Sequence, residues 1–297
     1  MQMNSGILPI ENSNWSESIG EAILHVGSDK FYASLCHAFL SIPEVDRPML
    51  LYFPRNARPQ VLYTFTTEKA EYFQHIESYI NGPYILDPFF QASVKGVKAG
   101  AYRLNEIAPD NFKKTEYYRQ FYGTVNFYDE IAYIQVLPNN AFMHLSLVRS
   151  GKKNRFSSQT VRFLKAVSPI INAVILKHWQ LTSAEHSSET SSDIHQSLHQ
   201  VLQLFGSSIL TAREQEVLQL VLHGHSNKSA AQKLDISLST IKLHRKHIYQ
   251  KLDISSQAEL FYLFIESLSF SGFEKNVDPL QNYIGGGNLQ HLFREPM

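Results

Sequence analysis

The fourteen residues from Leu238 to Lys251 carry four cations, Lys242, Arg245, Lys246 and Lys251, and no acid. On a helix turning about 100° per residue, Ser239, Lys242, Leu243, Lys246 and Gln250 share one stripe. Ile241, Ile248 and Leu252 fall on the opposite one. The chemistry this permits is recognition of a polyanion. Two lysines flanking an outward leucine suit a DNA major groove, where an apolar side chain can contact a thymine methyl. The alternative is a basic surface helix with one exposed leucine. A short helix and tight turn just before the stripe favour the DNA reading.

The elements that would position this stripe are legible from their caps. Thr211-Ala-Arg-Glu214 fits a capping box, Val217, Leu218 and Val221 follow at helical spacing, and Gly224 suits a helix stop. Ser226 suits the N-cap of a short helix from Asn227 to about Leu234, with Ala230 and Ala231 small enough for close packing. Asp235-Ile236 predicts a tight turn, and Ser237 or Ser239 caps the stripe helix. Ser256-Gln-Ala-Glu259 opens a fourth helix. Four capped helices in about 60 residues predict an all-α tetrahelical helix-turn-helix unit over 207–270.

Residues 210–268 resemble the helix-turn-helix domain of the LuxR/NarL class of bacterial transcription regulators. The resemblance rests on Leu210, Thr211, Arg213, Glu214, Val217, Leu218, Gly224, Ser226, Asn227, Lys228, Ala231, Leu234, Ile236, Ser237, Thr240, Lys242, His244, Ile248, Lys251 and Leu252. Ser229 and Ala230 depart from the family pattern, on the helix before the stripe. The resemblance implies that Lys242, Leu243 and Lys246 reach base edges and that Thr240, Lys228 and Arg245 contact phosphates. Ser239 lies on the same stripe, and His244 and His247 flank it. The fourth helix is apolar almost all round, from Leu260 through Phe261, Tyr262, Leu263, Phe264 and Ile265 to Leu268, and so calls for a partner helix. In this family the corresponding helix pairs two subunits on a two-fold DNA site, which implies a homodimer on double-stranded DNA.

The whole chain has 297 residues, enough for two domains. Lys plus Arg equals Asp plus Glu at 27 each, so DNA affinity must come from a local patch. No apolar run is long enough to cross a bilayer and no signal-peptide pattern opens the chain, so the expectation is a cytoplasmic protein without membrane attachment. The one cysteine, Cys36, excludes an internal disulfide and reads as an inert buried thiol. No nucleophile–base spacing, metal cluster or phosphate loop suggests an enzyme, and no cofactor is indicated. His195 and His199 at i, i+4 lack a third ligand and read as a solvated face.

Composition divides the chain. Residues 181–206 form a linker, Ser- and Thr-rich from Thr182 to Ser192, in which an amphipathic helix from Asp193 includes Val201, Leu202 and Phe205. Residues 271–297 read as an irregular tail. The first domain, 1–180, alternates helix and strand signals. A long helix is expected over Trp15 to Leu40, with strands at Met49–Phe53 and Val61–Phe65 and a helix over Glu68–Tyr79. After an irregular middle come a helix over Thr115–Tyr122 and two strands, Glu130–Val136 and Ala141–Val148, joined by Pro138-Asn-Asn140. A last helix runs from Ser157 to Trp179. The expected class is α+β: an α/β/α sandwich with an antiparallel sheet, then the all-α domain. This order resembles GAF/PAS-type sensory domains and the related ligand-binding domain of quorum-sensing LuxR proteins.

The aromatic density of the middle points to a small-molecule effector. Tyr84, Phe89, Phe90, Tyr102, Tyr117, Tyr118, Phe121, Tyr122, Phe127 and Tyr128 are candidate pocket residues, since tyrosine pairs apolar area with an orienting hydroxyl. Asp87, Asp129 and Glu130 are candidates to meet a cationic or hydroxyl-bearing group. The stretch from Tyr79 to Asp87-Pro88 resembles acyl-homoserine-lactone domains, in which an aspartate binds the ligand amide. That family's tryptophans are absent here, which disfavours a lactone. The competing reading is that these aromatics form the core while the acids cap turns or pair with Arg103 or Arg119. On that reading the first domain serves only dimerisation or protein interaction.

Overall fold

The computed structural model describes residues 13–55, 57–65, 69–151, 155–182, 200–271 and 277–285. Its helices are α1 (Ser13–Leu24), α2 (Phe31–Leu40), α3 (Lys69–Ile80), α4 (Pro88–Val94), α5 (Leu104–Ile107), α6 (Glu116–Tyr118), α7 (Ser158–Ala166) and α8 (Ser168–Thr182). They continue with α9 (Ala212–Leu222), α10 (Asn227–Leu234), α11 (Leu238–Leu252), α12 (Gln257–Ser271) and α13 (Pro279–Gly285). The chain forms two compact units. One comprises Met1–Phe73, Ala92–Ile107 and Val125–Ser192; the other comprises Gln74–Gln91, Ala108–Thr124 and Asp193–Met297.

The first unit is built on a five-stranded antiparallel sheet of β1 (Arg47–Phe53), β2 (Gln60–Thr64), β3 (Gly100–Arg103), β4 (Phe127–Val136) and β5 (Phe142–Ser150). The strand order is β2-β1-β5-β4-β3. Side chains alternate between faces along a strand, and register aligns that alternation. Leu50 sits opposite Leu145, Leu145 opposite Tyr133, and Tyr133 opposite Ala101. Leu50, Leu145 and Tyr133 join one core with Trp15 and Ile19 of α1, Phe31, Leu35 and Phe39 of α2, Phe163 of α7, and Ile171 and Trp179 of α8. The opposite face is buried as well, at Leu51, Phe53, Ala132, Ile134 and His144. Both faces are covered, and the unit is the expected α/β/α sandwich.

Several elements differ from expectation for local reasons. The long first helix is two helices, broken where Gly27 takes φ +90° and donates its N–H to His178 Nδ1 at 3.0 Å. The long last helix breaks at Val167, because Pro169 at the start of α8 lacks an N–H for a continuous ladder. The irregular middle contains α4 and β3, and β3 is too short for alternation to register. The helix at Thr115–Tyr122 is one α turn followed by a π-helical turn, Arg119–Gly123. Part of the stretch read as an irregular tail is helix α13, with Leu280 and Tyr283 buried. The His195–His199 pair and residues 183–199 of the linker lie outside the described residues; 200–204 are helical, and Val201, Leu202 and Phe205 are buried.

Cys36 is buried and free of any disulfide, and burial pushes its thiol upward, so it stays protonated. Among the described residues no single helix is long and apolar enough to cross a membrane. His144 is a buried titratable group on β5. It bonds Ser93 Oγ at 2.9 Å and packs against Phe53 at 4.5 Å between ring centroids. Burial lowers its pKa to about 3. A histidine depressed below its unfolded value of about 6.5 contributes stability above that value, and this is lost as pH falls toward 3. Urea midpoints of the chain are therefore expected to fall between pH 6 and 4.5, and His144→Leu to flatten that decline. Parallel acid limbs for the two proteins would contradict the assignment.

Candidate functional site

The DNA-reading candidate lies in the second unit. Thr211 and Glu214 form the expected capping box on α9: the Glu214 N–H donates to Thr211 Oγ1 at 3.3 Å, and the Thr211 N–H to Glu214 Oε2 at 2.9 Å. Burial raises the Glu214 pKa, but Lys251 Nζ at 2.7 Å and the Thr211 donors outweigh it and hold the carboxyl down at about 2. Lys251 is thus a strut between α9 and α11. Ser226 caps α10 through the Ser229 N–H at 3.1 Å, and Asp235 ends it in the left-handed region at φ 50°. Ser237 caps α11 through the Thr240 N–H at 3.0 Å, and Ser256 caps α12 through the Glu259 N–H at 3.1 Å.

This framework presents the predicted stripe. Ile241, Ile248 and Leu252 are buried against the unit, while Ser239, Lys242, Lys246 and His247 are exposed. Leu243 is 51% exposed, with an exposed lysine on either side along the stripe. Thr240 is half-buried and its hydroxyl lies 2.7 Å from Ser237 Oγ; Lys228 is exposed in the first turn of α10. Arg245 is already engaged. Its guanidinium donates to Asn227 Oδ1 at 2.8 Å and to the Tyr249 hydroxyl at 2.9 Å, locking α10 onto α11. Replacing Arg245 by Ala is expected to cost about 1–2 kcal/mol of stability through these two bonds. A thermal melt that leaves the midpoint unchanged would return Arg245 to the phosphate-contact role.

The fourth helix, α12, buries Leu260, Phe261, Leu263, Phe264 and Leu268. Part of its apolar surface finds a partner within the chain. Tyr283 of α13 packs on Phe270 and donates to Glu266, while the Asp278 carboxylate accepts the Gly206 and Ser208 N–H groups at 2.9 Å each.

A second cluster in the same unit surrounds Asp87. Its carboxylate accepts the Phe89 N–H at 2.7 Å, the Phe90 N–H at 3.2 Å and the Tyr117 hydroxyl at 3.2 Å. Burial raises its pKa to about 6, against the opposing pull of those donors and of Tyr79. Tyr84 meets Phe90 edge-on at 4.9 Å, Tyr117 lies 5.0 Å from Phe121, and Tyr118 stacks on Tyr122 at 5.1 Å. So Tyr84, Asp87, Phe89, Phe90, Tyr118, Phe121 and Tyr122 belong to one unit. Tyr117, also a candidate, is in the cluster, and Tyr79 and Phe112 join it. Tyr117 was legible as an aromatic, but its bond to Asp87 spans 30 residues and leaves no local pattern.

The other candidates belong to the first unit. The Tyr102 hydroxyl donates to Lys98 O at 2.8 Å. Glu130 is buried near Tyr72. Asp129 is bound by the Arg103 guanidinium, with Nε 3.1 Å from both oxygens, and accepts the Phe156 N–H at 3.0 Å. That is the Arg103 pairing which sequence left open beside a ligand role. Among the described residues no group of three or more His, Cys, Asp or Glu side chains is placed to hold a metal ion.

Residues 208–264 match the family described as GerE, bacterial regulatory proteins, luxR family. An HTH-type transcriptional regulator from the exeN 3' region of Aeromonas salmonicida is 31% identical over 186 residues, covering 61% of this chain and 94% of its own. The monoamine regulon transcriptional regulator of Klebsiella aerogenes is 47% identical over 53 residues, 18% of this chain and 23% of its own. Among solved structures, the VqsR LBD domain from Pseudomonas aeruginosa aligns at TM-score 0.48 and 26% identity, over 56% of this chain and 97% of its own.

Proposed function

Because the chain belongs to the luxR family of bacterial regulatory proteins, we propose that this transcriptional regulator reads double-stranded DNA through α11, as a cytoplasmic homodimer. Lys242, Leu243 and Lys246 meet base edges, with Ser239, Thr240, Lys228 and His247 beside the phosphates. The observation that carries this reading is Leu243. An apolar side chain 51% exposed between two exposed lysines is costly in water and useful against a thymine methyl. A dimer follows from charge. The chain has no net charge and only a small cationic patch, so two patches held in register supply the affinity one lacks. Sedimentation with and without DNA tests this: a 1:1 complex at saturating DNA would refute the dimer.

We propose further that the aromatic cluster around Asp87 holds a small-molecule effector with a cationic or hydroxyl group, and that occupancy changes DNA binding. A carboxylate that burial has raised to about 6 is partly discharged near neutrality, and a cation or hydroxyl donor favours its ionised form. The proposed boundaries are 1–180 for sensing, 181–206 for the linker and 207–270 for DNA reading; the compact units cut across them, since residues 74–91 and 108–124, which carry the Asp87 cluster, group with the DNA-reading helices. The test is a thermal-shift screen of the full chain with amines, polyols and lactones. A hit should raise the midpoint of the wild type and not that of Asp87→Asn. If no compound shifts the wild type, the first domain is an interaction module instead.

A further inference from the structure

Residues 110–122 lie far from α9–α12 in sequence and hold two of their surfaces. Asp110 sits at the start of α10: its carboxylate accepts the Ser226 N–H at 3.0 Å and also the Ser226 hydroxyl. Burial raises the Asp110 pKa, but the two Ser226 donors and nearby His225 outweigh it and hold the carboxyl below its usual range. Next to it, the Asn111 N–H donates to Gly224 O at 3.0 Å. The approach is close enough to need glycine at 224. With φ +90°, a Cβ there would stand 2.9 Å from Phe112 Cα and 2.8 Å from Thr115 Cγ2. Ten residues on, Gln120 Nε2 donates to the Tyr262 hydroxyl of α12 at 2.8 Å, and that hydroxyl donates to Glu116 Oε1 at 3.2 Å.

We propose that residues 110–122 are an intramolecular clamp on the DNA-reading helices, with the Asp110 carboxylate standing where a DNA phosphate would otherwise sit. The start of a helix attracts an anion through its unpaired N–H groups and dipole. A carboxylate on the Ser226 N–H and hydroxyl fills the positions a phosphate oxygen needs. Lys228, exposed in the same turn, is the nearest cation along α10. A DNA strand arriving there meets a fixed negative charge and must displace it. The grip on Tyr262, 43% exposed, adds a second point of attachment on a different helix. One loose contact therefore does not free the domain.

The clamp also reaches the proposed effector cluster, and this step rests on that reading. Thr115, which touches Gly224, caps α6 through the Tyr118 N–H at 3.0 Å. Tyr117, two residues on in the same helix, donates to Asp87. Glu116 between them accepts from Tyr262. A ligand that takes over the Asp87 carboxylate releases the Tyr117 hydroxyl, and α6 is short enough to shift as one piece. Effector binding then loosens the clamp and raises DNA affinity.

The experiment measures full-length wild type, Asp110→Asn and a charge control, Glu216→Gln, on a fluorescein-labelled 30-base-pair duplex of mixed sequence by anisotropy. Glu216 is exposed and pairs with Arg213 on α9. Asp110→Asn is expected to bind about tenfold more tightly than wild type, the loss of one charge-assisted contact to a competing anion, and Glu216→Gln less than twofold more tightly. Hydrogen exchange at the Ser226 amide should quicken in Asp110→Asn alone. Equal gains in both variants, or no gain in Asp110→Asn, overturn the clamp. With Lys242→Ala/Lys246→Ala measured alongside, loss of binding in that variant alone leaves the DNA-reading assignment standing when the clamp fails. Absence of binding by wild type and Asp110→Asn alike overturns both.

Discussion

Alanine at both Lys242 and Lys246 is expected to weaken DNA binding by about 30-fold or more per subunit, and so by about 1000-fold for a dimer, at constant salt. Each base contact of this kind is worth about 1–3 kcal/mol, and a dimer loses two copies of each. The salt dependence should change as well. Every phosphate neutralised contributes about 0.9 to the slope of log K against log salt, so removing two cations per subunit should make the slope shallower by up to about 4 in a dimer and up to about 2 in a monomer. Both side chains are exposed and neither contributes to the buried face of α11, so the melting midpoint should not move. Leu243→Ala offers the contrast. It should relax discrimination at a single thymine and leave the salt slope unchanged, since no charge is lost. Equal affinity and slope for the double variant and wild type would remove α11 from the groove.

Asp129→Ala is expected to destabilise the first unit by about 3 kcal/mol. The substitution strands the Arg103 guanidinium, which is mostly buried, and leaves the Phe156 N–H without its carboxylate. Removing one member of a buried ion pair typically costs about 3–5 kcal/mol, because the remaining charge stays desolvated. The double variant Arg103→Met/Asp129→Leu should recover most of this loss, since an apolar pair asks for no compensation. For a unit of this size, about 3 kcal/mol lowers the midpoint by about 6–12 °C. Calorimetry of the three proteins completes the cycle. Should Asp129→Ala melt with the wild type, the ion pair contributes nothing, and the carboxylate becomes available for a ligand.

The two outcomes reflect how differently the two regions could be read. Caps are local: Thr211 with Glu214, Ser226 with Ser229, Ser237 with Thr240 and Ser256 with Glu259 each span three residues, and all four form. The stripe on α11 is equally local, because helical geometry alone assigns Ile241 inward and Lys242 outward. Structure and expectation differ where a signal is weak or long-range. Gly27 and Pro169 were both visible, yet the apolar periodicity on either side ran through them. Strand β3 has four residues, too few for alternation to stand out. Helix α13 follows Gly- and Asn-containing sequence and is held by Asp278 bonding residues 206 and 208, some 70 positions earlier.

Asp129 shows the same limit at a candidate site. Its acidity and its neighbour Glu130 were plain, but its partner Arg103 lies 26 residues away on β3. Only the pairing of β3 with β4 brings the two together. Asp87 differs, because two of its donors, the Phe89 and Phe90 N–H groups, are its near neighbours in the chain.

What the sequence determined by itself is the basic stripe proposed to read DNA, since caps and a 100° helical repeat act within a few residues and need no distant partner. Tertiary structure decided what that face is attached to. The bonds from Asp110, Asn111 and Gln120 to Ser226, Gly224 and Tyr262 join residues more than 110 positions apart. Such bonds exist only once packing has closed the intervening chain, and no spacing along it announces them.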